Sequence, residues 1–201
     1  MRKISPLLSI LAISLVVLSC GENEDQPRLQ FDWKDLTSPF NTLWDVQYCF
    51  NHFDLAPNMI DYLSGFIADD FVFYFDPDDI GDDVGGYTIP SYWTRDEFIR
   101  AVNNMFNQAY DITFDIPVLE QGEEAFGKPA EGDIAFSKSN VTIDFILMVS
   151  EDNGYLAHDI CDFKFIRGSD GLWQLCELKD HAPYLMCTMP TSFGIILALF
   201  N

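Results

Sequence analysis

The sequence predicts an α+β domain with an antiparallel sheet, and three observations support this prediction. Segments with helical periodicity come early in the chain, segments with β alternation come late, and the late strands follow one another directly. Consecutive strands of this kind pair in antiparallel sheets. Because several of these strands are apolar on both faces, the sheet must be covered on both sides or curl around an interior.

Two helices open the predicted domain. Ser38-Pro39 offers an N-cap followed by proline at the first helical position. Leu43, Val46 and Phe50 then recur at helical spacing, which predicts an amphipathic first helix. Pro57 begins a second helical segment after a short connection.

The later elements have equally local signals. Thr94 and Glu97 form a capping box that begins a third helix. The turn at residues 168–171 separates two apolar segments and predicts a hairpin. Residues 120–133 are polar and contain three glycines, which predicts a loop, and residues 191–200 are apolar and predict a short capping helix. Strands are predicted at residues 71–75, 112–116, 141–149, 155–167 and 172–180.

The N-terminus is typical of an exported protein. Arg2 and Lys3 precede an apolar stretch of signal-peptide length. The stretch ends in Val17-Leu18-Ser19-Cys20, which resembles the lipobox of bacterial lipoproteins. That resemblance implies cleavage before Cys20 and a lipid on its thiol, with Gly21 favouring the outer membrane. We therefore expect a signal peptide at 1–19, a lipidated cysteine and flexible tether at 20–36, and a folded domain at 37–201.

The mature chain is strongly acidic. Removal of Arg2 and Lys3 leaves 9 basic residues against 32 acidic ones, a net charge of −23. Such a field repels nucleic acid, which we exclude as a partner, and favours cationic ligands or basic partners. Aromatic residues make up 15% of the chain, so enough apolar surface is present to build a core.

Four cysteines follow the lipidation site. In an oxidising envelope they could form disulfides in three different pairings, and buried free thiols are an equally good interpretation. None of their spacings matches a zinc site. They are Cys49, Cys161, Cys176 and Cys187.

The order of elements resembles the nuclear transport factor 2-like superfamily, also called cystatin-like or SnoaL-like. The likeness covers residues 38–182 and includes three local segments: IADDFVFYFDP, TRDEFIRAVNNMF and FKFIRGSDGLWQLCELKDH. It implies a strongly curved antiparallel sheet that forms a cone, closed by an N-terminal helix pair and a third helix. It also implies a cavity between helices and sheet, with wall residues Tyr48, Phe73, Trp93, Phe145, Phe163 and Trp173.

Within that superfamily, IADDFVFYFDP resembles the corresponding segment of the ketosteroid isomerases. The likeness implies that Asp76, before Pro77, is a general base. One additional residue separates Asp69-Asp70 from Asp76 here, and such an offset turns a strand side chain to the opposite face. The isomerase pattern also needs a tyrosine on the first helix, for which Tyr48 is the candidate, and a protonated acid on the sheet.

Several residues could complete such a site. A histidine paired with an acid would suit dehydratase chemistry, with His181 as the candidate, but adjacent residues in a strand point apart. A His–Asp pair would therefore have to join two strands. The histidines are His52, His158 and His181, and the candidate sheet acids are Asp144, Asp159, Asp162 and Glu177.

The loop after the first strand is the third candidate site. Carboxylates on a flexible loop suit Ca²⁺, but the spacing does not match an EF-hand and no closing glutamate is present. A solvated rim is the alternative. The aspartates concerned are Asp76, Asp78, Asp79, Asp82 and Asp83.

Together these patterns predict an envelope lipoprotein, anchored in the membrane through Cys20, whose domain binds a hydrophobic small molecule or a protein and is non-catalytic. The alternative is an isomerase- or dehydratase-like enzyme that acts on a hydrophobic small molecule in the cone. A homodimer through the outer face of the sheet is a further expectation, and no cofactor is expected other than Ca²⁺ in the acidic loop.

Overall fold

A computed structural model describes residues 31–181 and 191–201. The predicted signal peptide, Cys20 and Cys187 lie outside these residues. The helices are α1 (Pro39–Asn51), α2 (Met59–Phe66), α3 (Arg95–Phe106), α4 (Pro117–Glu120), α5 (Glu123–Phe126) and α6 (Phe193–Ala198). The strands are β1 (Ile67–Tyr74), β2 (Asp83–Val84), β3 (Tyr87–Thr88), β4 (Tyr92–Thr94), β5 (Asp111–Asp115), β6 (Ala135–Ser150), β7 (Asn153–Arg167) and β8 (Trp173–His181).

The helix starts follow the predicted local signals. The Ser38 hydroxyl accepts a hydrogen bond from the Asn41 N–H and caps α1. At α3, the Glu97 carboxylate accepts from both the N–H and the hydroxyl of Thr94, at 2.8 and 2.7 Å. Ser192 caps α6 in the same manner as Ser38 caps α1. These contacts satisfy N–H groups that a helix start otherwise leaves unpaired.

The main sheet has six strands in the order β4-β1-β8-β7-β6-β5. The α+β class is confirmed, and all pairs but one are antiparallel. The exception is the pair β1–β8, which is parallel because the chain reaches β8 only after crossing the rest of the sheet. Register shifts interrupt β6–β7 between Lys138 and Val141 and β7–β8 between Lys164 and Phe165. Such irregularities bend strands, and they accompany the curvature of this sheet.

The core lies between the inner face of the sheet and the helices. Strict alternation places Val141, Ile143, Phe145 and Leu147 of β6 inside. Helix α1 is fixed across the sheet by its polar side chains as well as its apolar stripe. The Thr42 hydroxyl donates to the carbonyl of Trp173, at 2.9 Å. The layout places one face of the long strands β6, β7 and β8 towards the helices and the other towards solvent.

Residues 31–36, part of the expected tether, pack against the domain in the described part of the chain. Trp33 contacts Tyr48 and Tyr62, and the Trp173 N–H donates to the Leu36 carbonyl at 2.9 Å. The Lys34 N–H donates to the buried Asp45 carboxylate at 2.9 Å. Aromatic side chains in the last part of the expected tether thus give it a packing surface.

Two smaller points concern the loop and the cysteines. The predicted loop at 120–133 contains α5 and the end of α4, each a single helical turn. Cys49, Cys161 and Cys176 are free thiols. Cys161 lies on the inner face of the sheet in β7, whereas Cys176 of β8 lies on the outer face.

Within residues 31–181 and 191–201, no helix is both long and apolar enough to span a membrane.

Candidate functional site

Four aspartates converge at one end of the inner sheet face. Asp159 of β7 follows the inward alternation of Ala157 and Cys161, and its side chain is fully buried. Asp180 of β8 lies opposite Cys161 and is 1% exposed. Buried positions on the inner face of a sheet normally carry apolar residues. Two inward carboxylates on adjacent strands therefore require a specific explanation.

The acidic loop after β1 supplies the other two aspartates. The Asp78 N–H donates to the Asp76 carboxylate at 2.7 Å, and the Asp79 N–H donates to the Asp76 carbonyl at 3.1 Å. This tight turn at Pro77 sends Asp76 and Asp79 inwards, where they are 7% and 8% exposed. The turn leaves Asp78 in solvent, as it does Asp82 and Asp83. The loop therefore forms both a solvated rim and part of a buried cluster.

The start of α6 contacts three of these carboxylates. The Ser192 hydroxyl donates to Asp79 Oδ2 at 2.5 Å, and the Gly194 N–H donates to Asp180 Oδ2 at 2.7 Å. The Phe193 N–H donates to Asp159 Oδ2. Each of the three aspartates thus has one donor from the same short stretch of chain. We call these four aspartates, Asp76, Asp79, Asp159 and Asp180, the acid cluster.

One oxygen of the acid cluster has no partner. Asp159 Oδ1 is buried and accepts no hydrogen bond from residues 31–181 and 191–201. A buried carboxylate oxygen without a donor costs free energy, typically a few kcal/mol. The site therefore has an unused acceptor in its interior.

Burial changes the protonation of the acid cluster. Loss of solvent raises the pKa of Asp159 to about 6, against the lowering effect of the Phe193 N–H and with a further rise from the charge of Asp79. Burial, together with the charge of Asp159, raises the pKa of Asp180 well above its usual range. Burial likewise raises the pKa of Asp79. The cluster therefore keeps its protons to a higher pH than exposed aspartates do.

An aromatic side chain continues from the acid cluster into the core. The Phe193 ring is stacked on Phe114, with centroids 5.7 Å apart and planes within 5°. It also contacts Phe145 at 5.0 Å, Phe73 at 6.2 Å and Phe50 at 6.3 Å. The C-terminal segment thus places a ring in the space between α1 and the sheet, where the superfamily resemblance implied a cavity.

The predicted cavity residues divide into three groups. Phe73 and Phe145 contact Phe193 in the interior. Tyr48 is partly exposed on the outer side of α1, where it contacts Trp33 and His52, away from the acid cluster. The remaining predicted wall residues are buried in the core: Trp93, Phe163 and Trp173.

The two His–Asp pairs lie on the outer face of the sheet. His158 Nδ1 is 2.5 Å from Asp144 Oδ1 across β6 and β7, and both side chains are exposed. His181 Nε2 is 3.3 Å from Asp162 Oδ2 across β7 and β8. Each pair joins two neighbouring strands, and neither contacts the acid cluster.

Among the candidate sheet acids, the structure brings one into the interior. Glu177 forms an ion pair with Lys179 at 3.0 Å, and Asp144 and Asp162 pair with histidines as described, so Asp159 alone is inside. Asp180 was not among those candidates. Its alternation with the inward Leu178 would have identified it, because residues two apart share a face.

No metal centre is formed by the described residues. Within residues 31–181 and 191–201, no three His, Cys, Asp or Glu side chains are arranged to bind one ion. The acidic loop separates its own candidate ligands, since two face the interior and three face solvent. Calcium binding by this loop stays a prediction.

Three clefts lie elsewhere on the surface. A cleft of about 230 Å³ includes Phe53, Met59 and Phe106, and a more open one of about 470 Å³ between α2 and α3 includes Arg95 and Arg100. A third, of about 160 Å³, lies against the Glu177–Lys179 pair on the sheet. None of these three clefts includes an acid-cluster residue.

Solved structures with a similar fold are known. One is a protein from Novosphingobium aromaticivorans provisionally named an aromatic ring hydroxylase, with 13% identity, a TM-score of 0.52, and coverage of 84% of this chain and 99% of that one. Another protein of that organism, provisionally named a scytalone dehydratase, has 9% identity, a TM-score of 0.47, and coverage of 74% and 87%. A Salmonella enterica protein named as nuclear transport factor 2-like has 11% identity, a TM-score of 0.42, and coverage of 73% and 94%.

The first of these structures, with a TM-score of 0.52, shares the fold of this chain. At these identities the likeness says nothing about the reaction or the ligand. Comparisons with protein-family models and with curated proteins give no match.

Proposed function

We propose that this protein is a bacterial envelope lipoprotein, anchored through Cys20 in the outer membrane, whose domain binds a small hydrophobic molecule without transforming it. The observation that carries the binding proposal is the unpaired, buried Oδ1 of Asp159 beside an aromatic interior. Ligand sites combine an apolar lining with a few fixed polar groups, and both kinds of group meet here around the Phe193 ring.

The sign of the charge limits the ligand. Four aspartates in a buried site repel an anion and favour a neutral donor or a cation. A thermal-shift screen of the mature chain with cationic, neutral and anionic aromatic compounds tests this. Cationic compounds should raise the melting temperature, and Asp159→Asn should remove the effect. A stabilisation by anionic compounds alone would contradict the proposed site.

The anchor is tested separately. Cys20→Ser should abolish incorporation of radiolabelled palmitate and release the protein from the outer-membrane fraction. Labelling that persists in Cys20→Ser would refute lipidation at this thiol. Neither result depends on the ligand.

A second candidate function is proton transfer to or from a bound hydrophobic molecule, as in an isomerase or dehydratase. One observation favours it: burial raises the pKa of Asp159 to about 6, and a group of this pKa can accept and return a proton near neutral pH. Incubation of a bound ligand in D₂O, followed by NMR, would detect exchange at carbon. Exchange that Asp76→Asn and Asp159→Asn both abolish would favour the enzyme, and its absence in the wild type would favour binding alone.

A homodimer would use the outer face of the sheet. Ile146 and Leu156 are paired across β6 and β7 there and are 39% and 60% exposed. Leu156→Asp should convert a dimer to a monomer in light scattering, whereas a monomeric wild-type chain would remove this proposal.

A further inference from the structure

The start of α6 occupies the acid cluster in the manner of a ligand. It presents an aromatic ring to the interior and, next to it, hydrogen-bond donors to three carboxylates. Its fit is close. A Cβ on Gly194 would lie 2.8 Å from the Phe75 ring and 2.9 Å from Asp180 Oδ2, so only glycine allows this approach.

The segment does not fully satisfy the acid cluster. Each of its backbone N–H groups supplies one donor and no net charge, and Asp159 Oδ1 stays unpaired. An ammonium group carries three donors and a positive charge. A molecule with a ring and an adjacent ammonium would therefore reproduce the contacts of Phe193 and add those that the segment lacks.

We propose that residues 192–195 are an internal substitute for an aromatic amine, which binds between the acid cluster and the Phe193 pocket when the first turn of α6 withdraws. This rests on the proposed binding function and names its ligand class. The segment and the amine compete for one space, so only chains with the segment withdrawn can bind the amine. The apparent affinity of the wild-type chain is therefore its intrinsic affinity multiplied by the fraction of such chains.

Calorimetry on the mature chain tests the proposal with three compounds of similar size: 2-phenylethylamine, neutral 2-phenylethanol and anionic 3-phenylpropionate. Phe193→Ala vacates the ring position and keeps all four aspartates. Phe200→Ala is the matched control, because it removes the same ring from the other end of the same segment. The Phe193→Ala chain should bind the amine at least tenfold more tightly than the wild type does, and at least tenfold more tightly than it binds the alcohol. The Phe200→Ala chain should behave as the wild type.

Equal amine affinity in the wild type and Phe193→Ala would overturn the proposal. If the wild type nevertheless binds the amine in that experiment, the proposed binding function stands. Equal affinity of Phe193→Ala for amine and alcohol would also overturn it. If none of the chains binds any of the compounds, both this inference and the proposed preference for cations fail. Hydrogen exchange on the wild type tests the proposal if Phe193→Ala does not fold. Saturating amine should increase the exchange rate of the Phe193, Gly194 and Ile195 amides. Unchanged or slower exchange would refute the withdrawal of the segment.

Discussion

Asp159→Asn should stabilise the protein at alkaline pH and leave its stability unchanged at acidic pH. Asparagine keeps an oxygen that can accept the Phe193 N–H, places an NH₂ donor at the position of the unpaired Oδ1, and cannot ionise. The substitution therefore removes a charge from the buried cluster and alters little else.

The magnitude follows from the raised pKa. The pKa of Asp159 rises from 3.8 to about 6 on folding. One pKa unit corresponds to about 1.4 kcal/mol, so the shift amounts to roughly 3 kcal/mol. Since the folded pKa lies above the unfolded one, this contribution to stability is complete below about pH 4 and is lost as the pH rises through about 6. At pH 8, Asp159→Asn should therefore increase the free energy of unfolding by about 2–3 kcal/mol.

Urea unfolding followed by tryptophan fluorescence at pH 3 and pH 8 measures the difference. Asp152→Asn, in the exposed β6–β7 turn, makes the same change of charge and should alter stability by less than about 0.5 kcal/mol at both values. A loss of stability in Asp159→Asn at pH 8, or an equal gain at both pH values, would show that Asp159 does not carry a costly buried charge. The reasoning about the whole acid cluster would then fail.

Three further predictions concern single positions. Gly194→Ala should destabilise the fold by about 1–3 kcal/mol, because the added Cβ would meet Phe75 and Asp180. Gly65→Ala, in α2 with open space around it, should instead stabilise the fold by up to about 1 kcal/mol. Chemical denaturation compares the two variants, and equal effects would contradict the close contact at Gly194. Thr94→Ala should cost about 1 kcal/mol by removing the N-cap of α3, and an unchanged melting temperature would refute the capping box as a stabilising contact. Asp45→Asn should raise the melting temperature at pH 8 and leave it unchanged at pH 3, because burial raises the pKa of this carboxyl to about 6 and Asp45 Oδ2 is unpaired among the described residues. A fall at pH 8 would show that the charge is needed for the contact with Lys34.

The sequence alone determined the elements whose signals are local. The N-cap at Ser38, the capping box at Thr94 and the turn at residues 168–171 each depend on a few neighbouring residues, and each element begins or ends where predicted. Alternation in β6 likewise identified its buried face. These features could be predicted because hydrogen bonding and side-chain periodicity act over one or two turns of chain.

Tertiary structure decided what depends on distant contacts. The parallel pairing of β1 with β8 joins segments about a hundred residues apart, and its register shifts between Ile67 and Val72. The acid cluster draws on the loop after β1, two strands and the C-terminal segment, so no local pattern could assemble it. The same holds for Phe193, which belongs to a segment predicted only as a cap and lies at the centre of the aromatic core. Burial sets the charge state of these aspartates, and burial is a property of the folded chain, since an isolated segment leaves its carboxylates in water.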